Sequence, residues 1–302
     1  MVTQQRVLVP LDGSPLAEAA LPYAETVARV LGATLHLLAV AEREPGGIFA
    51  LDQAIRGQVE QGLCQGLTEY LATIARRSRE RGVAAETDVV VGDPTREILA
   101  AADRTAAGIV VMATHGRGGL QRLFLGSVAD KVMRTASRPT LLVSPGQHDP
   151  VHQDSQPVEL RRIAVPLDGS PLAEAALGPA GALAAAAGAQ VMLLQVQSVR
   201  LTGTSAYPYI PDLGAVEAEL ERTAQHYLEQ LGPRLPAAVT TAMAVLRGAP
   251  VDALAGYLQE NAVDLVVMTT HGYGGVQRLL VGSTADRLVR LGFPVLLVRA
   301  VA

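Results

Sequence analysis

Thirteen residues, VPLDGSPLAEAAL, occur at 9–21 and recur letter for letter at 165–177. A chain that spells one strand-to-helix phrase twice must build it twice, so the fold has to contain two copies of one unit. Sliding the sequence by 156 residues extends the match: GIVVMATHGRGGLQRLFLGSVADKVMR (108–134) falls on DLVVMTTHGYGGVQRLLVGSTADRLVR (264–290). With a one-residue slip, RPTLLVS (138–144) falls on FPVLLVR (293–299), whereas segments 41–80 and 197–236 correspond poorly. What is retained is therefore local. A length of 302 residues suits two domains, because single cores seldom grow past about 250 residues. The stretch SPGQHDPVHQDSQPVEL (144–160) is polar and contains prolines, as a connector should, which places domains at 1–145 and 161–302 with a linker at 146–160.

Within each copy, strand-like and helix-like patterns alternate. RVLVPL, ATLHLLAV, ETDVVV, GIVVMA and PTLLV have the length and β-branched content of strands buried on both faces, as in a parallel sheet covered by helices. PLAEAALPYAETVARVL, QVEQGLCQGLTEYLATIARRSRERG and TREILAAADRT carry apolar residues at three- and four-residue spacing. Ser14-Pro15, Asp93-Pro94 and Ser170-Pro171 set a capping side chain before a first-turn proline, which marks helix starts, and Pro22 and Pro179 predict a kink or a late start in the first helix of each copy. The fold class is α/β: two tandem, open, five-stranded, parallel-sheet, doubly wound Rossmann-like domains. Ligands in such sheets bind outside the carboxyl ends of the strands, where the strand order reverses.

Composition excludes several functions. The net charge is -4 and no basic run exceeds a local Arg pair, so a nucleic-acid surface is not expected. Cys64 is the only cysteine, which rules out an internal disulfide framework or a multi-cysteine metal site. GPAGALAAAAGA (178–189) is too short and too Gly/Ala-rich to span a bilayer, and the opening MVTQQRVLVPLD lacks the pattern of a signal peptide, so the expectation is a cytoplasmic protein without membrane contact.

The glycine-rich segments point to a site. Gly116, Gly118 and Gly119 follow the fourth strand and leave no side chain in the way of a ligand. Gly126-Ser127 then gathers backbone N–H groups, a hydroxyl and a helix N-terminus, which together suit a phosphate. Gly272, Gly274, Gly275 and Gly282-Ser283 repeat the arrangement. Asp12 and Asp168 stand where a carboxylate accepts ribose hydroxyls or an adenine amine, although Asp before Gly-Ser is also ordinary turn chemistry. His115 and His271 have no recurring carboxylate, nucleophile or second histidine nearby, so they read as structural or backbone contacts and not as catalysts. Arg117 can reach a phosphate, but Tyr273 replaces it in the second copy. No GxxxxGK[ST] occurs and Lys131 is the sole lysine, which excludes a P-loop; GRGGLQ and GYGGVQ lack the last glycine of the dinucleotide fingerprint and follow the wrong strand. No nucleophile elbow or metal-ligand cluster appears.

These residues resemble the universal stress protein family over nearly the whole chain. The family's motif reads Gly, two residues, Gly, nine residues, Gly, then Ser or Thr; here nine residues separate Gly116 from Gly126-Ser127 and Gly272 from Gly282-Ser283. The first glycine is replaced by Ala113 and Thr269, and a β-branched Thr restricts the backbone and adds bulk, which favours the first site over the second. The resemblance implies nucleotide contacts from Pro10, Leu11 and Asp12, the backbone at Val40, and Val128 in the first copy; the counterparts are Pro166, Leu167, Asp168, Val196 and Thr284. GDP (92–94) and GAP (248–250) resemble the family's turn after the third strand. It further implies ATP or another adenine nucleotide as cofactor, with or without Mg²⁺, no metal site of the protein's own, and pairing of domains through their last strands, PTLLV and PVLLV. A tandem chain can satisfy that pairing internally, and pairing of whole chains into a homodimer is left open. The leading expectation is a stress-response protein that senses or sequesters ATP and signals by conformation, with slow hydrolysis at most. Its alternatives are a scaffold with empty sites, or a weak ATPase or nucleotidyl-transfer enzyme of the same superfamily. Segments 42–57 and 198–214 read as lids or partner-binding loops.

Overall fold

The computed structural model describes residues 5–42, 53–115, 125–144, 157–198, 213–270 and 282–299. Contacts divide the chain into two compact units: Met1–Glu159 with Gly292–Leu297, and Leu160–Leu291 with Val298–Ala302.

In unit 1 the strands are β1 (Arg6–Leu11), β2 (Thr34–Glu42), β3 (Ala85–Gly92), β4 (Ile109–Ala113) and β5 (Thr140–Val143), ordered β3-β2-β1-β4-β5 with all of these neighbours parallel. The helices are α1 (Pro15–Glu18), α2 (Leu21–Leu31), α3 (Gln53–Glu80), α4 (Pro94–Arg104) and α5 (Ser127–Thr135). Strand order reverses between β1 and β4, which opens the crevice where doubly wound sheets place ligands. Leu8, Leu35, Leu37, Leu38, Leu141 and Leu142 are fully buried in the sheet's centre. β3 departs from the expected two-sided burial: Glu86 and Thr87 are exposed and Asp88 to Gly92 are half-buried, because β3 is the edge strand and has a neighbour on one side only.

Unit 2 repeats the plan with β6 (Arg162–Leu167), β7 (Gln190–Gln197), β8 (Thr241–Arg247) and β9 (Leu265–Thr269), parallel in the order β8-β7-β6-β9. Its helices are α6 (Pro171–Glu174), α7 (Leu177–Ala187), α8 (Leu213–Leu231), α9 (Pro250–Glu260) and α10 (Ser283–Arg290). The last strand, β10 (Val295–Val298), belongs by contact to unit 1 as far as Leu297, where Val295, Leu296 and Leu297 pair antiparallel with Leu142, Leu141 and Thr140.

Helix starts follow the local chemistry read from the sequence. Ser14, Ser170 and Asp93 each accept a backbone N–H of the first turn, ahead of a proline whose missing N–H is no loss there. Pro22 and Pro179 sit in the first turns of α2 and α7, each restarting after a four-residue helix, which is the late start their positions predict. α3 begins at Gln53 and α8 at Leu213, so 53–57 and 213–214 are helical ends of segments read above as loops; 43–52 and 199–212 lie outside the described residues. Among the described residues no helix is long and apolar enough to cross a membrane.

Candidate functional site

The parallel ladders bring the candidate residues to one edge. Leu11 pairs with Ala39, so Asp12 follows at the carboxyl end of β1, level with Val40 two residues before β2 ends, and counting on from Leu8↔Val110 sets Leu11 level with Ala113 at the end of β4. In unit 2, Leu167 pairs with Gln195, which places Asp168 and Val196 in the same relation, with Thr269 ending β9. Pro10 and Pro166 are half-buried inside their strands, with Leu11 and Leu167 buried beside them.

Each aspartate shapes its own turn. Asp12 Oδ1 accepts from the Ser14 N–H at 2.9 Å and from the Ser14 hydroxyl at 2.6 Å; Asp168 Oδ1 does the same with Ser170 at 3.0 and 2.6 Å. Gly13 and Gly169 take φ of 82° and 83°, a region that side chains with a Cβ disfavour, and this sends the chain from strand into helix while the carboxylate stays at the crevice. The turn leaves each aspartate at the carboxyl end of its strand.

On the other side of the crevice, the start of α5 is fastened to the end of β4. The Gly126 N–H donates to Thr114 O at 2.8 Å, and a Cβ added at Gly126 would lie 3.0 Å from that same oxygen, too close for a side chain unless backbone moves. Gly126 therefore forms a cradle that any other residue would fill. Gly282 donates to Thr270 O at 2.7 Å, but an added Cβ would stand 3.6 Å away, an ordinary contact. Ser127 and Ser283 open the two helices and are exposed, followed by half-buried Val128 and Thr284. Neither helix has a side-chain cap, and first-turn amides lack acceptors within their own helix, so this end of each favours an anion. Asp130 would oppose an anion there, but Arg134 grips it with Nε and Nη2 at 2.9–3.0 Å, and Arg290 grips Asp286 likewise at 2.8 and 3.1 Å. The arginines neutralise the only first-turn acid of each helix.

His115 Nδ1 lies 2.9 Å from the Thr114 hydroxyl, and among the described residues its Nε2 is buried with no hydrogen-bond partner. In the tautomer where Thr114 donates, Nε2 carries the proton and is a donor looking for an acceptor. Thr269 ends β9 in extended backbone, where a β-branched residue is at ease, so its conformational restriction carries no penalty; Ala113 and Thr269 are equally buried, at 7% exposure each. Gly116, Arg117, Gly118, Gly119, His271, Gly272, Gly274 and Gly275 lie outside the described residues.

A cleft of about 500 Å³ opens nearby at the ends of β2 and β3, lined among others by Glu42, Asp93, Arg96 and Glu97. Three carboxylates suit a polyphosphate poorly, and the corresponding residues of the second copy are Ser198, Ala249, Asp252 and Ala253. The recurrent chemistry is at the β1/β4 crevice, and the candidate site is placed there. No group of three or more His, Cys, Asp or Glu among the described residues is arranged to hold a metal ion.

The structure also shows a recurrent group that sequence comparison missed. Glu18 on α1 is held by Tyr70 and Arg77 of α3, and Glu174 on α6 by Tyr227 and Arg234. Tyr70 and Tyr227 match at an offset of 157 residues instead of 156, inside segments that otherwise correspond poorly; the shared seven-residue Tyr-to-Arg spacing was the available signal.

The family model described as the universal stress protein family matches residues 4–144 and again 159–299. The chain belongs to the universal stress protein family. A universal stress protein of Mycolicibacterium smegmatis is 28% identical over 309 residues, covering 98% of both chains. One from Methanocaldococcus jannaschii is 29% identical over 146 residues, which is 46% of this chain and 81% of that protein. Among solved structures, a universal stress protein from Archaeoglobus fulgidus superposes with a TM-score of 0.69 at 20% identity, covering 98% of this chain and 97% of its own, and so shares the fold.

Proposed function

We propose that each repeat of this universal stress protein binds an adenine nucleotide, ATP in the first place, in the crevice between its first and fourth strands. The observation that carries this reading is the recurrence at that crevice: an aspartate turn at the end of one strand, and a helix start fastened by a glycine N–H to the end of the neighbouring strand, in both repeats. Asp12 and Asp168 accept ribose hydroxyls, the amides and hydroxyls at Ser127 and Ser283 take phosphate oxygens, and Val40 and Val196 meet the base through their backbone. His115 Nε2, a buried nitrogen lacking a partner among the described residues, donates to the same phosphates. Mg²⁺ arrives with the phosphates.

The protein is a binder and not a catalyst: sensing or sequestration of ATP, passed on by conformation in a stress response in the cytoplasm. We further infer, from the family resemblance, that the last strands PTLLV and PVLLV are the pairing elements of the domains. Titration of a fluorescent ATP analogue into the purified protein tests the reading. Saturable binding displaced by ATP is expected; no binding at millimolar nucleotide would overturn it.

A further inference from the structure

Each Asp-Gly-Ser turn feeds a helix of four residues, α1 or α6. So short a helix cannot fix its own direction, because nucleation costs more than its few hydrogen bonds return. The orientation of the turn, and of the aspartate within it, has to come from tertiary contacts. Ala17 is buried, and Glu18, the last residue of α1, adds two polar contacts: the Tyr70 hydroxyl donates to one of its oxygens at 3.2 Å and Arg77 Nη1 to the other at 3.2 Å. Both donors stand on α3, a helix of 28 residues. In the second repeat the Tyr227 hydroxyl, from α8, donates to Glu174 at 3.2 Å, and Arg234, in the turn Gly232–Arg234 just after α8, takes the other oxygen.

Two further observations tie this grip to the crevice. Burial first, then the Glu18 carboxylate, raises the Tyr70 pKa, and Asp12 adds to the rise; Glu174 and Asp168 act alike on Tyr227, so each hydroxyl keeps its proton within electrostatic reach of the site aspartate. The segments bearing these donors have diverged between repeats and slipped by a residue, yet tyrosine, arginine and both contacts persist.

We propose that Glu18 and Glu174 are positioning residues: gripped by Tyr70 and Arg77, or by Tyr227 and Arg234, they set the Asp-Gly-Ser turn so that Asp12 and Asp168 face the ribose hydroxyls of the bound nucleotide. This rests on the nucleotide reading above. The test uses the full chain, with Tyr70→Phe and Glu18→Gln, and the second site as internal control. ATP and 2′,3′-dideoxy-ATP are titrated with Mg²⁺, and hydrogen exchange is followed at the Ser14 and Ala17 amides, which donate to Asp12 and Ser14. Loss of the hydrogen bond that Tyr70 donates to the Glu18 carboxylate predicts at least about tenfold weaker ATP binding at the first site for Tyr70→Phe. Dideoxy-ATP, which has no hydroxyls to meet, keeps its affinity, the second site is unchanged, and the two amides exchange faster. Glu18→Gln shows the same selective loss. Equal weakening of both nucleotides would mark a merely structural role and overturn the proposal, as would unchanged ATP affinity. If the parent chain binds neither nucleotide, the functional reading fails by itself; exchange then decides, faster exchange supporting the positioning of the turn and unchanged exchange refuting it.

Discussion

Against the second helix of each unit, the two repeats solve one packing problem in opposite ways. In unit 1, Glu25 of α2 is 1% exposed; its carboxylate accepts from the Ser78 hydroxyl at 2.8 Å and pairs with Arg81 at 3.2 Å. In unit 2 the place of Glu25 is taken by Gly181, over which Leu235 and Pro236 close so tightly that an added Cβ would lie 3.0 and 2.7 Å from them. A buried charge with two partners is exchanged for no side chain and a hydrocarbon lid. In the sheets a buried histidine is exchanged for an apolar residue. His36, which lies 3.8 Å from Glu86 and 3.7 Å from Asp88 without a hydrogen bond to either among the described residues, is matched by Met192, which pairs with Ala242 on β8. Polar groups taken from water must be satisfied together or removed together. The Glu25 set has diverged in this way, while at the crevice Asp12, Val40, Gly126 and Ser127 keep their identity in the second copy and Ala113 and Val128 do not.

Mixing the two solutions should break this comparison most severely. Gly181→Glu puts a carboxylate under Pro236 with no partner and no room, and should cost unit 2 more than about 4 kcal/mol, seen as loss of its unfolding transition in denaturant. Arg81→Ala leaves Glu25 buried with Ser78 alone. Since Arg81 is itself partly exposed, the cost should fall near the low end for a broken buried pair, about 3 kcal/mol in unit 1. Gly126→Ala forces backbone apart at Thr114 and should destabilise by about 1–3 kcal/mol, whereas Gly282→Ala should cost under about 1 kcal/mol; equal losses in thermal unfolding would refute the asymmetry. The smallest change is His36→Met. Glu86 and Asp88 keep Arg6 and Arg104 as partners, so stability should move by less than about 1 kcal/mol.

The repeat made the architecture legible, because a phrase that ends a buried strand, turns at Asp-Gly-Ser and caps a helix permits few other folds. Helix starts at Pro15, Pro94 and Pro171 and the interruptions at Pro22 and Pro179 were readable for the same local reason. Burial of β3 was misjudged, since hydrophobic runs do not reveal which strand lies at an edge. The Glu18–Tyr70–Arg77 contacts and the Glu25-for-Gly181 exchange escaped notice because they join segments far apart in sequence. A single-residue slip between the repeats hid their correspondence. Asp12, Val40, Gly126 and their counterparts do converge on one edge of each sheet, as their positions at strand ends require.

The central claim is that two crevices hold nucleotide, and calorimetric titration of ATP with Mg²⁺ into the full chain meets it most directly, with Gly126→Val and Gly282→Val alongside and a denaturing extraction for nucleotide carried through purification. The account predicts two binding events, or carried nucleotide in place of the missing ones, with one event lost in each variant. Absence of both heat and carried nucleotide, or parental binding in both variants, would contradict it.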